Sequence, residues 1–170
     1  KDRFQIYKKF KMFEENDDDS PSTMTMGFGK AVIKLTKIIK TLKPDLIFSG
    51  FDIGANFAAA VIGAHMNIHV AHLEGGEITG TIDESIRHAI SKFAHIHFTS
   101  NEQATKRLIK MGESSKNIFT VGNPSLDVIK SLKIISKKKL ENEFNINLDK
   151  PLLLIVQHTV TTEINEIDKY

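Results

Sequence analysis

Ionisable side chains are concentrated in one short stretch of the chain, HLEGGEITGTIDESIRH, which begins at His72 and ends at His88. Carboxylates that lie beside a histidine and an arginine can transfer protons at carbon or at a leaving group, provided that their surroundings push their pKa values apart. The stretch follows an apolar run, so a strand is expected to end where the acids begin. Its other ionisable members are Glu74, Glu77, Asp83, Glu84 and Arg87.

Part of this stretch is explained by helix formation alone. Thr81 and Glu84 have the spacing of a capping box, in which the two side chains satisfy the free N–H groups of a helix start. Asp83 and Arg87 lie four residues apart. They could form a surface ion pair worth a few tenths of a kcal/mol, or they could direct a carboxylate and a guanidinium at a ligand, the guanidinium binding a phosphate or holding a carboxylate in place. His88 is the weaker candidate for a binding residue.

Three further candidates come from predicted strand ends. Asp52 lies between Gly50 and Gly54, where it could cap a helix or place a carboxylate near the positive end of the helix dipole. Glu74 precedes two glycines, which suit either a plain turn or the close approach of a ligand. His158 follows the apolar run LLLIVQ and could be structural or functional.

Strands and helices are predicted to alternate along the chain, after a polar lead-in over residues 1–25 that is either helical or irregular and ends in a loop. A capping box is expected at Ser100 and Gln103, and an N-cap at Asn123 followed by Pro124. The pattern predicts an α/β fold, a parallel sheet with helices on both faces. The predicted helices cover 29–42, 54–66, 83–94, 101–112, 123–132 and 136–145, and the predicted strands cover 45–50, 68–75, 95–100, 117–122 and 152–157.

The parallel sheet decides where the candidate residues should meet. Ligands of such sheets bind beyond the carboxyl ends of the strands. Asp52, Glu74, Glu77 and His158 each follow a predicted strand and should therefore line one rim.

Composition excludes several classes of function. The chain has 170 residues, a net charge of +2 with dispersed basic residues, and no cysteine. We therefore expect neither a nucleic-acid partner nor a membrane span, and a cytoplasmic location fits the missing cysteines. His95 and His97 have no third ligand in register, and GFGKAV lacks the third glycine of a dinucleotide motif. No metal and no cofactor are predicted.

The chain is interpreted as part of a longer protein, because it opens without Met and stops abruptly at EIDKY. Residues 1–145 are predicted to be a partial N-terminal Rossmann-like domain with a linking helix. Residues 146–170 are predicted to begin a C-terminal nucleotide-binding domain that is mostly absent.

Three segments in this order resemble the UDP-N-acetylglucosamine 2-epimerase family: LKPDLIFSGFD, HLEGGEITGTIDESIRHAISKFAH and QHTVTTE. The similarity is strongest to its hydrolysing branch, which forms N-acetylmannosamine and UDP for sialic-acid-type sugars. The resemblance implies a two-domain fold of the glycosyltransferase-B type with the active site in the cleft. It also implies elimination of UDP, hydration of a glycal intermediate, no NAD or metal, and a dimer or tetramer.

The same resemblance implies roles for individual residues. Asp52 and Asp83 would transfer protons, Glu74 would act as an acid/base or contact the sugar, and His158 would assist the departure of UDP. The family usually has Gly-Asp-Arg where this chain has Phe51-Asp52-Ile53, which opens a UDP-2,4-diacetamido-6-deoxy sugar as an alternative substrate. A non-catalytic UDP-sugar-binding module and a glycosyltransferase are further alternatives. The residues assigned to substrate binding are Arg87, His88 and Glu77.

Overall fold

A computed structural model describes residues 5–156 of the chain. Strands and helices alternate through most of this range, as the sequence predicts. In chain order the elements are α1 Pro21–Leu42, β1 Leu46–Gly50, α2 Gly54–His65, β2 His69–Leu73, α3 Ile82–Phe93, β3 Ile96–Thr99, α4 Glu102–Lys110, a 3-10 turn Ser115–Asn117, β4 Ile118–Thr120, α5 Pro124–Ser131 and α6 Lys137–Phe144.

The four strands form one parallel sheet in the order β1-β2-β3-β4. The predicted α/β class with a parallel sheet is thus confirmed. Each strand is joined to its neighbour by a helix, and such crossovers are right-handed, so α2, α3 and α4 lie on the same face of the sheet. The sequence predicts helices on both faces, whereas within residues 5–156 these crossover helices cover one.

The core lies between that face and the helices. It includes Ile39 of α1, Ile47 of β1, Val70 of β2 and Ile90 of α3. Helix α2 comes close to the sheet because Gly63 has no side chain: a Cβ atom there would lie 2.4 Å from Val70 Cγ2. Close packing of this kind leaves no room for an added methyl group.

The opposite face of the sheet carries a row of aromatic side chains, Phe48, Phe98 and Phe119, which we call the aromatic row. The ring centroids of Phe48 and Phe98 are 6.0 Å apart, and those of Phe98 and Phe119 are 5.9 Å apart. Phe48 is 57% exposed and Phe119 49% exposed. Side chains alternate between the faces of a strand, so this row is the outward counterpart of the buried residues.

Two predicted helix starts differ from the structure. Helix α1 begins at Pro21 rather than at residue 29, so the end of the lead-in, predicted to be a loop, is helical; Ser20 caps it by accepting from Thr23 N. Helix α4 is capped by Asn101, which accepts from Ala104 N, and the capping box predicted at Ser100 and Gln103 was wrong. Serine and asparagine are both good caps, and the sequence could not choose between neighbours.

The predicted strand at 152–157 is also wrong over the residues described, because Leu152–Val156 are exposed and form neither helix nor strand. A strand needs a hydrogen-bonding neighbour, and in the described structure no strand lies beside this segment. The N-cap predicted at Asn123 with Pro124 after it is confirmed. No helix between residues 5 and 156 is both long and apolar enough to cross a bilayer.

Candidate active site

Two neighbouring strands end in the same unusual backbone turn. Phe51 follows β1 with a φ of 62°, and Glu74 follows β2 with a φ of 63°. Each first extends the parallel ladder by one bond, Phe51 N donating to Leu73 O and Glu74 N to Phe98 O. The turn then directs Asp52 and the residues after Glu74 across the carboxyl edge of the sheet, where a ligand of a parallel sheet binds.

Asp52 forms an ion pair with Arg87, whose Nη2 donates to the Asp52 carboxylate. The guanidinium is largely buried, with Arg87 8% exposed. Asp52 is not the cap of α2, because the N-cap is Ile53 and no side chain caps that helix. The interpretation of Asp52 as a helix cap is therefore wrong. Arginine instead fixes the direction of this carboxylate at the rim.

Arg87 does not pair with Asp83, its predicted partner four residues earlier. Its second nitrogen, Nη1, donates to the backbone oxygen of Glu77 at 3.0 Å. The guanidinium thus joins the end of β1 to the loop after β2. In the described structure Arg87 holds a carboxylate, which is one of the two roles that the sequence left open.

Glu74 lies in a desolvated position. Its Oε1 atom is buried without a hydrogen-bond partner among the described residues. Burial raises the pKa of the Glu74 carboxyl, and the negative charges of Glu77 and Asp52 raise it further, while Arg87 opposes them. A carboxyl group with a raised pKa can hold a proton at a pH where an exposed acid has lost it.

Glu77 is hydrogen-bonded to the residue that caps α4. Asn101 Nδ2 donates to Glu77 Oε1 at 2.6 Å, while Asn101 Oδ1 caps the helix. The structure therefore brings together Asp52, Glu74, Glu77 and Arg87. Glu77 contributes its backbone oxygen to Arg87 and its charge to the surroundings of Glu74.

Among the described residues, the other candidates on α3 make no hydrogen bond or ion pair with this group. Asp83 is exposed, and its carboxylate accepts from the Thr81 hydroxyl at 3.4 Å. His88 Nε2 lies 3.8 Å from Glu84 Oε1. Thr81 is the N-cap of α3, as predicted. The predicted capping box is not formed, because Glu84 Oε2 accepts instead from Thr79 N at 2.9 Å and from Gly80 N at 2.8 Å. These two hydrogen bonds hold the loop before the helix.

His158 lies outside the described residues. No group of three or more histidine or acidic side chains that could hold a metal ion occurs between residues 5 and 156. His95 and His97 differ in their surroundings. His95 precedes β3 and is exposed, whereas His97 is buried with Nε2 3.4 Å from Glu113 Oε2.

Sequence reasoning missed three side chains that support the site. His72 and Ser91 are hydrogen-bonded to each other below the rim, and Arg107 donates to the backbone oxygen of Gly76. The adjacent glycines Gly75 and Gly76 are the sequence signal that could have indicated close contacts at this loop. A Cβ at Gly75 would lie 2.8 Å from His72 Nδ1, and one at Gly76 would lie 2.5 Å from Ala104 O.

Partly buried carboxylates at the carboxyl edge of a parallel sheet define a class of α/β protein with a ligand site at the strand ends. A family model described as UDP-N-acetylglucosamine 2-epimerase matches residues 1–169. The chain therefore belongs to the UDP-N-acetylglucosamine 2-epimerase family, as its sequence motifs indicated.

Two curated relatives are hydrolysing 2-epimerases. The UDP-N,N'-diacetylbacillosamine 2-epimerase (hydrolyzing) of Legionella pneumophila is 38% identical over 146 residues, which is 86% of this chain and 39% of that protein. The GDP/UDP-N,N'-diacetylbacillosamine 2-epimerase (hydrolyzing) of Campylobacter jejuni is 36% identical over 167 residues, which is 98% of this chain and 43% of that protein. This chain thus spans about two-fifths of the length of each relative.

A solved structure shares the fold. The UDP-GlcNAc 2-epimerase of Neisseria meningitidis, crystallised with UDP-GlcNAc, superposes with a TM-score of 0.64 at 23% identity, covering 81% of this chain and 38% of that one. The likeness supports the predicted Rossmann-like sheet as part of a glycosyltransferase-B-type fold.

Proposed function

We propose that the full-length protein is a hydrolysing 2-epimerase of a UDP-2-acetamido sugar, which releases UDP and inverts C2. The observation that carries this proposal is the pair of unlike carboxylates at the rim. Asp52 is held by a guanidinium, whereas Glu74 is desolvated with a raised pKa. Neighbouring carboxyl groups in unlike surroundings are suited to opposite roles in proton transfer.

In the proposed reaction Asp52 removes the proton from C2 of the sugar. The C2–H electron pair forms the C1=C2 double bond as the C1–O bond breaks, and UDP leaves with that bond's electrons. Water then adds, with OH to C1 and a proton to C2 on the opposite face. Glu74, which holds a proton at higher pH than an exposed glutamate, delivers the proton to C2 and takes one from water.

The remaining candidates have supporting roles in this scheme. Arg87 orients Asp52 through their ion pair. Asp83, Glu77 and His88 are proposed to contact the sugar or to relay protons. His158 is proposed to assist UDP departure, as the family resemblance implies.

The proposed substrate is a UDP-2,4-diacetamido-6-deoxy sugar. Phe51 and Ile53 flank Asp52 and are 43% and 60% exposed, so an apolar surface borders the carboxylate where the family usually has glycine and arginine. A sugar that lacks the 6-hydroxyl loses less hydration against such a surface. The names of the Legionella and Campylobacter relatives favour the same sugar class. UDP-N-acetylglucosamine, converted to N-acetylmannosamine, is the second candidate, favoured by the family description.

The full-length protein should be tested with both UDP-sugars in deuterated water. We expect UDP release from the diacetamido sugar at least ~10-fold faster than from UDP-N-acetylglucosamine, with one deuterium entering C2, since a polar group facing an apolar wall costs binding energy. Ile53→Arg should narrow that preference. Asp52→Asn should lower turnover by ~10²–10⁴-fold.

Asp127→Asn is the matched control, because it makes the same change at an exposed site on α5. It should turn over normally. Sugar binding without deuterium at C2 would show a non-catalytic binding module instead. UDP release that depends on an acceptor would show a glycosyltransferase.

A further inference from the structure

His72 and Ser91 form a buried pair directly below the rim. Each is 0% exposed, and His72 Nδ1 lies 3.1 Å from Ser91 Oγ. His72 is on β2, two residues before Glu74, and Ser91 is on α3, four residues after Arg87. The pair therefore joins the two elements that carry the acid and the guanidinium of the site.

The direction of the hydrogen bond follows from the serine. Ser91 Oγ donates its single proton to the backbone oxygen of Arg87 at 3.1 Å, so it can only accept from the imidazole. Nδ1 of His72 must carry the proton, and Nε2 must be unprotonated. Burial, together with electrostatic interactions with His97, Arg87 and His88, lowers the pKa of His72 to about 3. The imidazole is therefore neutral at neutral pH, with a fixed tautomer.

The same pair forms the floor under the loop that carries the acids. A Cβ atom at Gly75 would lie 2.8 Å from His72 Nδ1 and 2.9 Å from Ser91 Oγ. The backbone directly after Glu74 thus rests on the hydrogen-bonded pair. Through Ser91 the pair also contacts the main chain of Arg87, and through Arg87 it is linked to Asp52.

We propose that His72 and Ser91 are positioning residues, which set the spacing between Glu74 and the Arg87–Asp52 ion pair. This inference rests on the proposed 2-epimerase function. Neither side chain needs to touch the sugar. Their contribution is geometric, and displacements of about 1 Å at reacting groups can cost ~10²-fold in rate.

The test uses the full-length protein and compares Ser91→Ala, His72→Leu and His72→Asn. Ser91→Ala and His72→Leu should each lower kcat by ~10–10²-fold with KM within about twofold, because an interaction that acts in the transition state is lost while ground-state binding is kept. His72→Asn offers an amide N–H near the position of Nδ1–H and should recover part of kcat. Ser85→Ala, an exposed serine on the same helix, should match wild type.

Two results would overturn the inference. One is a Ser91→Ala enzyme with wild-type kcat per folded molecule and only a lower melting temperature, which is a purely structural effect. The other needs no turnover: a crystal structure of Ser91→Ala in which Arg87 still holds Asp52 and Glu74 has not moved. An inactive wild-type protein would contradict the proposed function, and the crystal structure would still decide the positioning role.

Discussion

Glu74 combines two features that oppose stability. Its φ of 63° lies in the left-handed region, which costs a non-glycine residue about 1–2 kcal/mol. Its Oε1 atom is buried without a hydrogen-bond partner among the described residues, and burial raises the pKa of its carboxyl group. Strained and desolvated residues persist mainly where they serve a function. Phe51 has the same backbone conformation, which explains why the family's usual glycine suits that position.

Replacement of Glu74 by glutamine should separate stability from activity. A raised pKa means that the folded protein binds this proton more tightly than the unfolded chain, so the ionised carboxylate destabilises the fold at pH 7. That penalty disappears as the pH falls through the folded pKa. Glu74→Gln should therefore melt above wild type at pH 7, and the difference should close towards pH 4, while turnover falls ~10²–10⁴-fold.

Thermal unfolding between pH 4 and pH 8, together with UDP release, measures both effects. Glu15→Gln, at an exposed position, is the control and should change neither. A Glu74→Gln protein that melts below wild type at pH 7 would show that the carboxylate is stabilising and would remove the argument for its role.

At the level of elements, the connection from β2 to α3 is fixed at several points along its length. Gly75 rests on His72 and Ser91, and Arg107 binds the carbonyl of Gly76. Glu84 accepts from the N–H groups of Thr79 and Gly80. Backbone hydrogen bonds lower the pKa of Glu84 accordingly. The loop is thus a preorganised part of the site rather than a spacer.

Alanine substitutions at two glycines test whether this loop is fixed, with a glycine inside a helix as the comparison. Gly75→Ala would place a methyl group against His72 and Ser91, and it should lower the free energy of unfolding by about 1–3 kcal/mol. Gly29→Ala, in α1 with nothing within 4 Å of the added Cβ, should raise it by about 0.5–1 kcal/mol. Chemical denaturation measures both. Equal changes in the free energy of unfolding at the two positions would contradict the inference that the loop is fixed.

The elements themselves could largely be predicted from sequence, because apolar periodicity and the Pro, Gly and Asn signals are local. The contacts between them could not. Asp52 and Arg87 pair across 35 residues of sequence, and the spacing of Asp83 and Arg87 suggested a closer partner. The apolar run 152–156 has the composition of a strand, but strand formation depends on a neighbour that composition cannot supply.

On the scale of the molecule, the two faces of the sheet differ in their surroundings. One packs against α1, α2 and α3, while the aromatic row lies on the other with Leu46 also exposed. Contiguous apolar patches beyond a few hundred Å² are rare on monomeric soluble proteins. The family resemblance predicts a dimer or tetramer, and that remains a prediction.

Residues 1–170 produced by themselves should therefore bind an apolar dye such as anilinonaphthalene sulfonate and self-associate. Phe48→Ser and Phe119→Ser should each reduce dye fluorescence, since each removes an exposed ring of the aromatic row. Ile33→Ser, at an exposed position on α1, is the control and should have little effect. Dye binding that is insensitive to all three changes would place the apolar surface elsewhere.

The sequential strand order also bears on how the chain acquires its structure. Leu46 pairs with His69, Ala71 with Ile96 and His97 with Ile118, so each new strand closes a loop of only roughly twenty residues. The entropic cost of closing a loop grows only slowly with its length, so each closure costs about as much as the one before. The sheet can grow one strand at a time in the direction of synthesis, and Asp52, the first rim carboxylate in the chain, is in place at the end of β1 before Arg87 arrives to hold it.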